Sequence, residues 1–197
     1  MAEGLLGTIF VIVTALIGIG LLISWDWRWS VGALALQYLA AFVFVSASWP
    51  LELAAVKLVS GWMAGSVLGL TLLTAHRPQQ PESPAATVVV FRILAAALVV
   101  LLVMGTAPRL AAWAAVISLN QAWAGLLLIG MGLLHLGLSS APLRITLGLL
   151  TIFSGFEVLY ASVEVSTLVA GLQAVLTLGI AVVGAYLMLV PEMDPLE

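Results

Sequence analysis

The stretch Leu143–Ala161, LRITLGLLTIFSGFEVLYA, sets the terms for what this chain can fold into. An apolar run of that length, coiled as an α-helix, crosses the hydrocarbon core of a bilayer. It begins with Arg144 and carries Glu157 inside its far end. A carboxylate within a membrane-length run is costly, which makes Glu157 a functional-site candidate. His135 lies in the apolar run before it and Gln173 in the one after.

Such runs recur along the whole chain. Hydrophobic residues make up 63% of 197 and charged residues only 8%, with a mean hydropathy of +1.25. This reads as an all-α, polytopic membrane helix bundle, a single transmembrane domain over residues 1–197, with no room for a soluble catalytic domain. The net charge is −3 without a basic patch, which argues against nucleic acid as a partner. The lack of cysteine excludes disulfides and thiolate-bound clusters. Met1-Ala2-Glu3 lacks the positive segment of a cleavable signal peptide, so the first helix is expected to stay as an anchor.

Seven spans are expected, over about 4–24, 30–48, 51–74, 87–105, 121–138, 143–161 and 167–190. Trp25-Asp26-Trp27-Arg28-Trp29 closes the first as an interfacial belt anchor, with an aromatic binding patch as the sharper alternative. Trp49-Pro50 stops the second, the proline standing at the start of the third. In the third, Gly61, Gly65 and Gly69 repeat every fourth residue, one turn beyond Lys57. That spacing lets a partner helix approach closely and reads as helix packing. Residues 75–86, AHRPQQPESPAA, form an aqueous loop in which His76 is solvated. The segment 106–120 is apolar but broken by Pro108 and Arg109, and is expected to lie at the interface or to lengthen the fifth helix. Residues 191–197 are a short acidic tail.

Seven spans put the termini on opposite sides. One side then receives Arg28, Arg77, Arg92 and Arg144, the other Lys57 and Arg109. The positive-inside rule makes the first side cytoplasmic, with the N-terminus outside and the C-terminus inside a cell's inner membrane.

Two histidines far apart make neither a zinc nor a bis-histidine haem site. His135 alone could ligate a haem or pigment, or be hydrogen-bonded structure. No phosphate-binding loop, dinucleotide fingerprint or serine–histidine–aspartate arrangement is present, so no cofactor, metal or catalytic residue is assigned. What remains is intramembrane polarity: Lys57, Glu157, Gln173 and His135, with Glu52 and Gln37 beside them. Such residues serve as ion relays or as ties between helices. Lys57, the only lysine, either snorkels to the head groups or joins a buried ion pair. It lies about 10 Å into its span, and Glu157 about 6 Å from the same face, at 1.5 Å per residue. Comparable depth and opposite sign predict a Lys57–Glu157 pair. Glu52 competes but is turned about 140° away along the helix.

The final third, Gly125–Leu189, reads GLLLIGMGLLHLGLSSAPLRITLGLLTIFSGFEVLYA and then LVAGLQAVLTLGIAVVGAYLML. It resembles the small three-helix K-type subunit of the complex I family, and still more the E subunit of group-4 membrane-bound hydrogenases, where extra helices precede the same triple. The likeness rests on the glycine-rich helix, the short turn to PLR and the pattern LGLLTIFSGFEVLYA. The family carries two intramembrane glutamates. On this chain the first falls near Phe153, with Glu157 one turn further, and the second falls at Gln173, which cannot exchange a proton near neutral pH. The resemblance implies an accessory membrane subunit of an ion-translocating, electron-transport complex. The chain would act as a scaffold without its own catalysis, beside other membrane subunits and the lipid bilayer. Two other readings stay open: a structural or assembly subunit of another photosynthetic or respiratory complex, and a small independent transporter. A transporter is expected to show an internal repeat and broken helices, and neither is evident.

Overall fold

A computed structural model of the protein describes residues 2–74 and 85–190, with side chains from Gly7 onward. The loop containing His76 and Arg77, and the acidic tail, lie outside the described residues. Seven helices are present among those described: α1 (Ala2–Ile23), α2 (Trp27–Ser46), α3 (Leu51–Thr74), α4 (Ala86–Trp113), α5 (Leu119–Leu138), α6 (Pro142–Tyr160) and α7 (Thr167–Leu189). Helices α2 to α7 are each long and apolar enough to cross a membrane, and α1 is apolar over Gly7–Ile23. The chain is a polytopic, all-α membrane protein.

Local chemistry sets the helix ends. Asp26 caps α2 by accepting from Arg28 N at 2.9 Å, so Trp27 and Trp29 belong to the first turn of that helix. Ser118 and Gln121 form a capping box at the start of α5. Pro142 occupies the first turn of α6, where its missing N–H costs nothing.

The segment after Gly105 corrects the sequence expectation. It neither lies flat nor joins α5; α4 continues through Pro108 to Trp113. The reason is packing. Val103 and Ala107 are buried, and Leu110, Ala111 and Ala114 follow at helical spacing against Ala122 and Leu127 of α5. That continuous seam outweighs the hydrogen bond the proline removes, a loss tolerated in membrane helices when neighbours support the backbone.

Helices α2, α5 and α6 form the centre. α3 and α7 pack together on one flank, while α4 packs mainly on α5 and α1. The closest approach is between α5 and α6, which run antiparallel. A Cβ added at Gly155 would lie 2.6 Å from Gly125 O and 2.9 Å from Ile129 N. One added at Gly132 would lie 2.7 Å from Gly148 O and 2.8 Å from Ile152 N. Four glycines, seven residues apart on each helix, thus bring backbone onto backbone.

The Gly61–Gly65–Gly69 ridge faces α2 with a gradient of tightness. A side chain at Gly61 would run into the Tyr38 ring. At Gly65 and Gly69 the nearest atom is Val31 Cγ1, at 3.9 and 3.8 Å. There the ridge opens into a surface groove lined by Val31, Ala35, Trp62, Gly65, Ser66 and Gly69.

Candidate functional site

Buried polar residues recur along the inner faces of four helices. On α3, Lys57 shares its face with Ala54, Ser60, Gly61 and Ala64, all buried. On α6, Thr151, Ser154 and Glu157 follow one another every third residue, close enough to helical period to point the same way. On α7, Gln173 and Thr177 continue the buried line from Ala170 to Ala181. α2 contributes Gln37 and Tyr38, both fully buried.

The centre of this arrangement is an ion pair between Lys57 Nζ and Glu157 Oε2, with the side chains 4% and 1% exposed. Lys57 starts from one end of α3 and Glu157 from the matching end of α6, so antiparallel packing brings them level. The ammonium also lies 4.8 Å from the centroid of the Tyr38 ring and 6.0 Å from that of Phe153. Aromatic faces offer a desolvated cation partial compensation at such range. The pair lines a small cavity with Trp49, Leu53, Ser60, Ala170, Gln173 and Ala174. At such burial neither charge can be left alone, because an unpaired ion in a low-dielectric interior costs several kcal/mol.

Two turns along α6 from Glu157, the Thr151 hydroxyl lies 2.7 Å from Leu147 O and 3.3 Å from Gln37 Oε1. The hydroxyl of Ser154 and the amide nitrogens of Gln37 and Gln173 are buried without a protein hydrogen-bond partner among the described residues. The column therefore has donors to spare beside a neutralised charge pair.

Of the four polar residues singled out in the sequence, the structure brings three together: Lys57, Glu157 and Gln173 border the same cavity. His135 does not join them. It is buried in the last turn of α5 with Nδ1 3.1 Å from Met131 O, and it packs at the level of Gly148. That is nine residues, roughly 13 Å, along α6 from Glu157. Glu52 is exposed at the start of α3 and makes no ion pair with Lys57.

Sequence reasoning passed over several groups. Tyr38 and Phe153, the rings beside the ammonium, carry no sequence signal of that role. Thr151 and Ser154 do carry one, since with Glu157 they put three polar residues at one spacing inside an apolar run. Gln121 is a further omission: its amide donates to Phe44 O at 3.1 Å and to Ser48 Oγ at 2.7 Å, tying α5 to the end of α2.

No family model, curated protein or solved structure matches the chain. The class of protein is accordingly defined by fold and site alone: a multi-pass helical membrane protein with a charge pair buried in its bundle.

Proposed function

We propose that the chain is an accessory membrane subunit of a complex I-like or membrane-bound hydrogenase-like assembly that couples electron transfer to ion movement, and that it serves there as a scaffold. The observation that carries this reading is the closed Lys57–Glu157 pair with Gln173 beside it. A lysine and a glutamate that neutralise each other inside a packed bundle hold helices in register without needing a mobile proton. Gln173 stands where the resembled family has a carboxylate, and an amide offers no accessible proton equilibrium. The groove along Gly65, Ser66 and Gly69 adds support for a subunit role, because small residues at that spacing suit the close approach of a neighbouring helix. The reading sets the bundle in an inner, cytoplasmic membrane, with the ends of α1, α3, α5 and α7 on the cytoplasmic side.

Co-purification in mild detergent tests the assembly. Membrane subunits with redox partners should accompany the chain, and a chain recovered alone that transports a solute by itself in liposomes would end the proposal. Within an assembly, Gln173→Ala should leave ion translocation nearly intact. Loss of pumping with assembly unharmed would return this position to the ion path.

A further inference from the structure

A second cationic cluster lies apart from the Lys57–Glu157 site, at the end of the bundle where α1 finishes and α4 and α6 begin. Arg92 donates from Nη1 to Leu22 O at 3.0 Å, and Arg144 from Nη2 to Ser24 O at 2.7 Å. Both guanidinium groups stack on one indole: their central carbons lie 4.9 and 4.6 Å from the Trp25 ring centroid. Part of this is structural, since cations at a helix C-terminus satisfy its last carbonyls. Those bonds, however, use one N–H of each guanidinium, which has five.

The cluster has no counter-charge among the described residues. Among the described residues the one ion pair is Lys57–Glu157, and the nearby Asp26 directs its carboxylate to Arg28 N. Arg92 is only 6% exposed, and Arg144, partly buried, shares the same indole. Two like charges held on one ring, one of them buried, repel each other until an anion joins them. Arginine's planar fork suits phosphate oxygens above other anions. Depth and surroundings favour an anion that arrives in the membrane. Arg92 lies six residues into α4, roughly 9 Å, and Trp25, Trp29, Val88 and Phe91 are exposed around this end. Interfacial tryptophans mark the head-group level, and basic pockets between helices there receive anionic head groups. We propose that Arg92, Trp25 and Arg144 form a binding site for the phosphate of an anionic phospholipid in the leaflet at this end of the bundle.

The test uses the full chain, delipidated in detergent and titrated with phosphatidylglycerol, phosphatidylcholine or inorganic phosphate, with unfolding temperature and retained lipid as readouts. Phosphatidylglycerol should be held about tenfold more tightly than phosphatidylcholine and should raise the unfolding temperature, as charge-assisted hydrogen bonds to phosphate imply. Arg144→Gln and Arg92→Gln should each remove that preference, while Arg28→Gln, on an exposed arginine stacked on Trp27, should keep it. If a glutamine variant fails to fold, the wild-type comparison still decides, because equal retention of the two lipids overturns the proposal. So does a preference that survives both variants, or inorganic phosphate stabilising as well as the lipid. A chain truncated after Val190 that gains a preference the full chain lacks would assign the site to the chain's own Glu192, Asp194 and Glu197, and would also overturn it.

Discussion

The contact between α5 and α6 makes the sharpest stability prediction, because it is set by backbone atoms that cannot rotate away. Replacing Gly155 with alanine places a methyl carbon 2.6 Å from Gly125 O and 2.9 Å from both Ile129 N and Leu128 Cβ. An ordinary carbon–oxygen contact is about 3.3–3.6 Å, so the helices must part by most of an ångström along a seam that also closes at Gly132 and Gly148. Forcing a methyl into a packed core costs about 1–3 kcal/mol. Helix propensity returns up to about 1 kcal/mol when glycine becomes alanine. With the full propensity gain subtracted, the net expectation for Gly155→Ala is destabilisation of up to about 2 kcal/mol. The matched control is Gly171→Ala on α7, where an added Cβ meets nothing within 4 Å, so only the propensity gain of up to about 1 kcal/mol remains. Reversible unfolding in mixed micelles, followed by circular dichroism against rising denaturing detergent, should separate the two variants by about 1–3 kcal/mol, the packing cost alone, since the propensity gain is common to both. Equal midpoints would refute the claim that backbone contact across α5 and α6 sets their spacing.

Two further expectations follow from the α3 face. Glu157→Gln should destabilise by about 3–5 kcal/mol because it strands a buried ammonium, whereas Lys57→Met with Glu157→Leu should cost far less than the single changes summed; additive costs in a double-mutant cycle would show that the two groups are uncoupled. Gly61→Leu should block folding by colliding with Tyr38, while Gly65→Ala, with its nearest neighbour 3.9 Å away, should fold with wild-type thermal stability; a fold that tolerates Gly61→Leu in a fluorescence-detected sizing assay would contradict the gradient along this ridge.

Much of this architecture is legible in the chain because a bilayer leaves few choices. Long apolar runs must be helical, and Pro50 marks the start of one in the sequence, while the caps at Asp26 and Ser118 emerge only in the structure. The Lys57–Glu157 pair was legible for a similar reason: both depths are counted from one face, so residue number converts directly to height. Pro108 misleads because its local cost is visible in the sequence, while the seam from Val103 to Ala114 that offsets it belongs to tertiary structure. The glycines of α5 and α6 were hidden differently. A seven-residue spacing means little until the two helices are known to be antiparallel neighbours in one register, whereas Gly61–Gly65–Gly69 draws the eye but closes tightly only at Gly61. Arg92 and Arg144 read as flanking charges that orient a membrane protein. Nothing in their sequence positions announces that Trp25 gathers both.

These contacts together hold α6 at both ends and along one side. Near its start Arg144 donates to Ser24 O, just past the end of α1, and near its end Glu157 is bound to Lys57 of α3. Thirteen residues, roughly 20 Å, separate the two anchors. Between them Gly148 and Gly155 press against the backbone of α5. Sliding α6 by one turn would leave Glu157 without its cation, detach Arg144 from α1 and drive bulkier residues into the glycine contacts, three losses that arrive together. Rotation about its axis is barred by the same glycines, since only that face is flat enough to meet α5. A helix fixed at both ends and along its side is a strut, and the charge pair it carries is held as rigidly as the helix itself. α4, by contrast, packs mainly on α5 and α1 and carries fewer such ties.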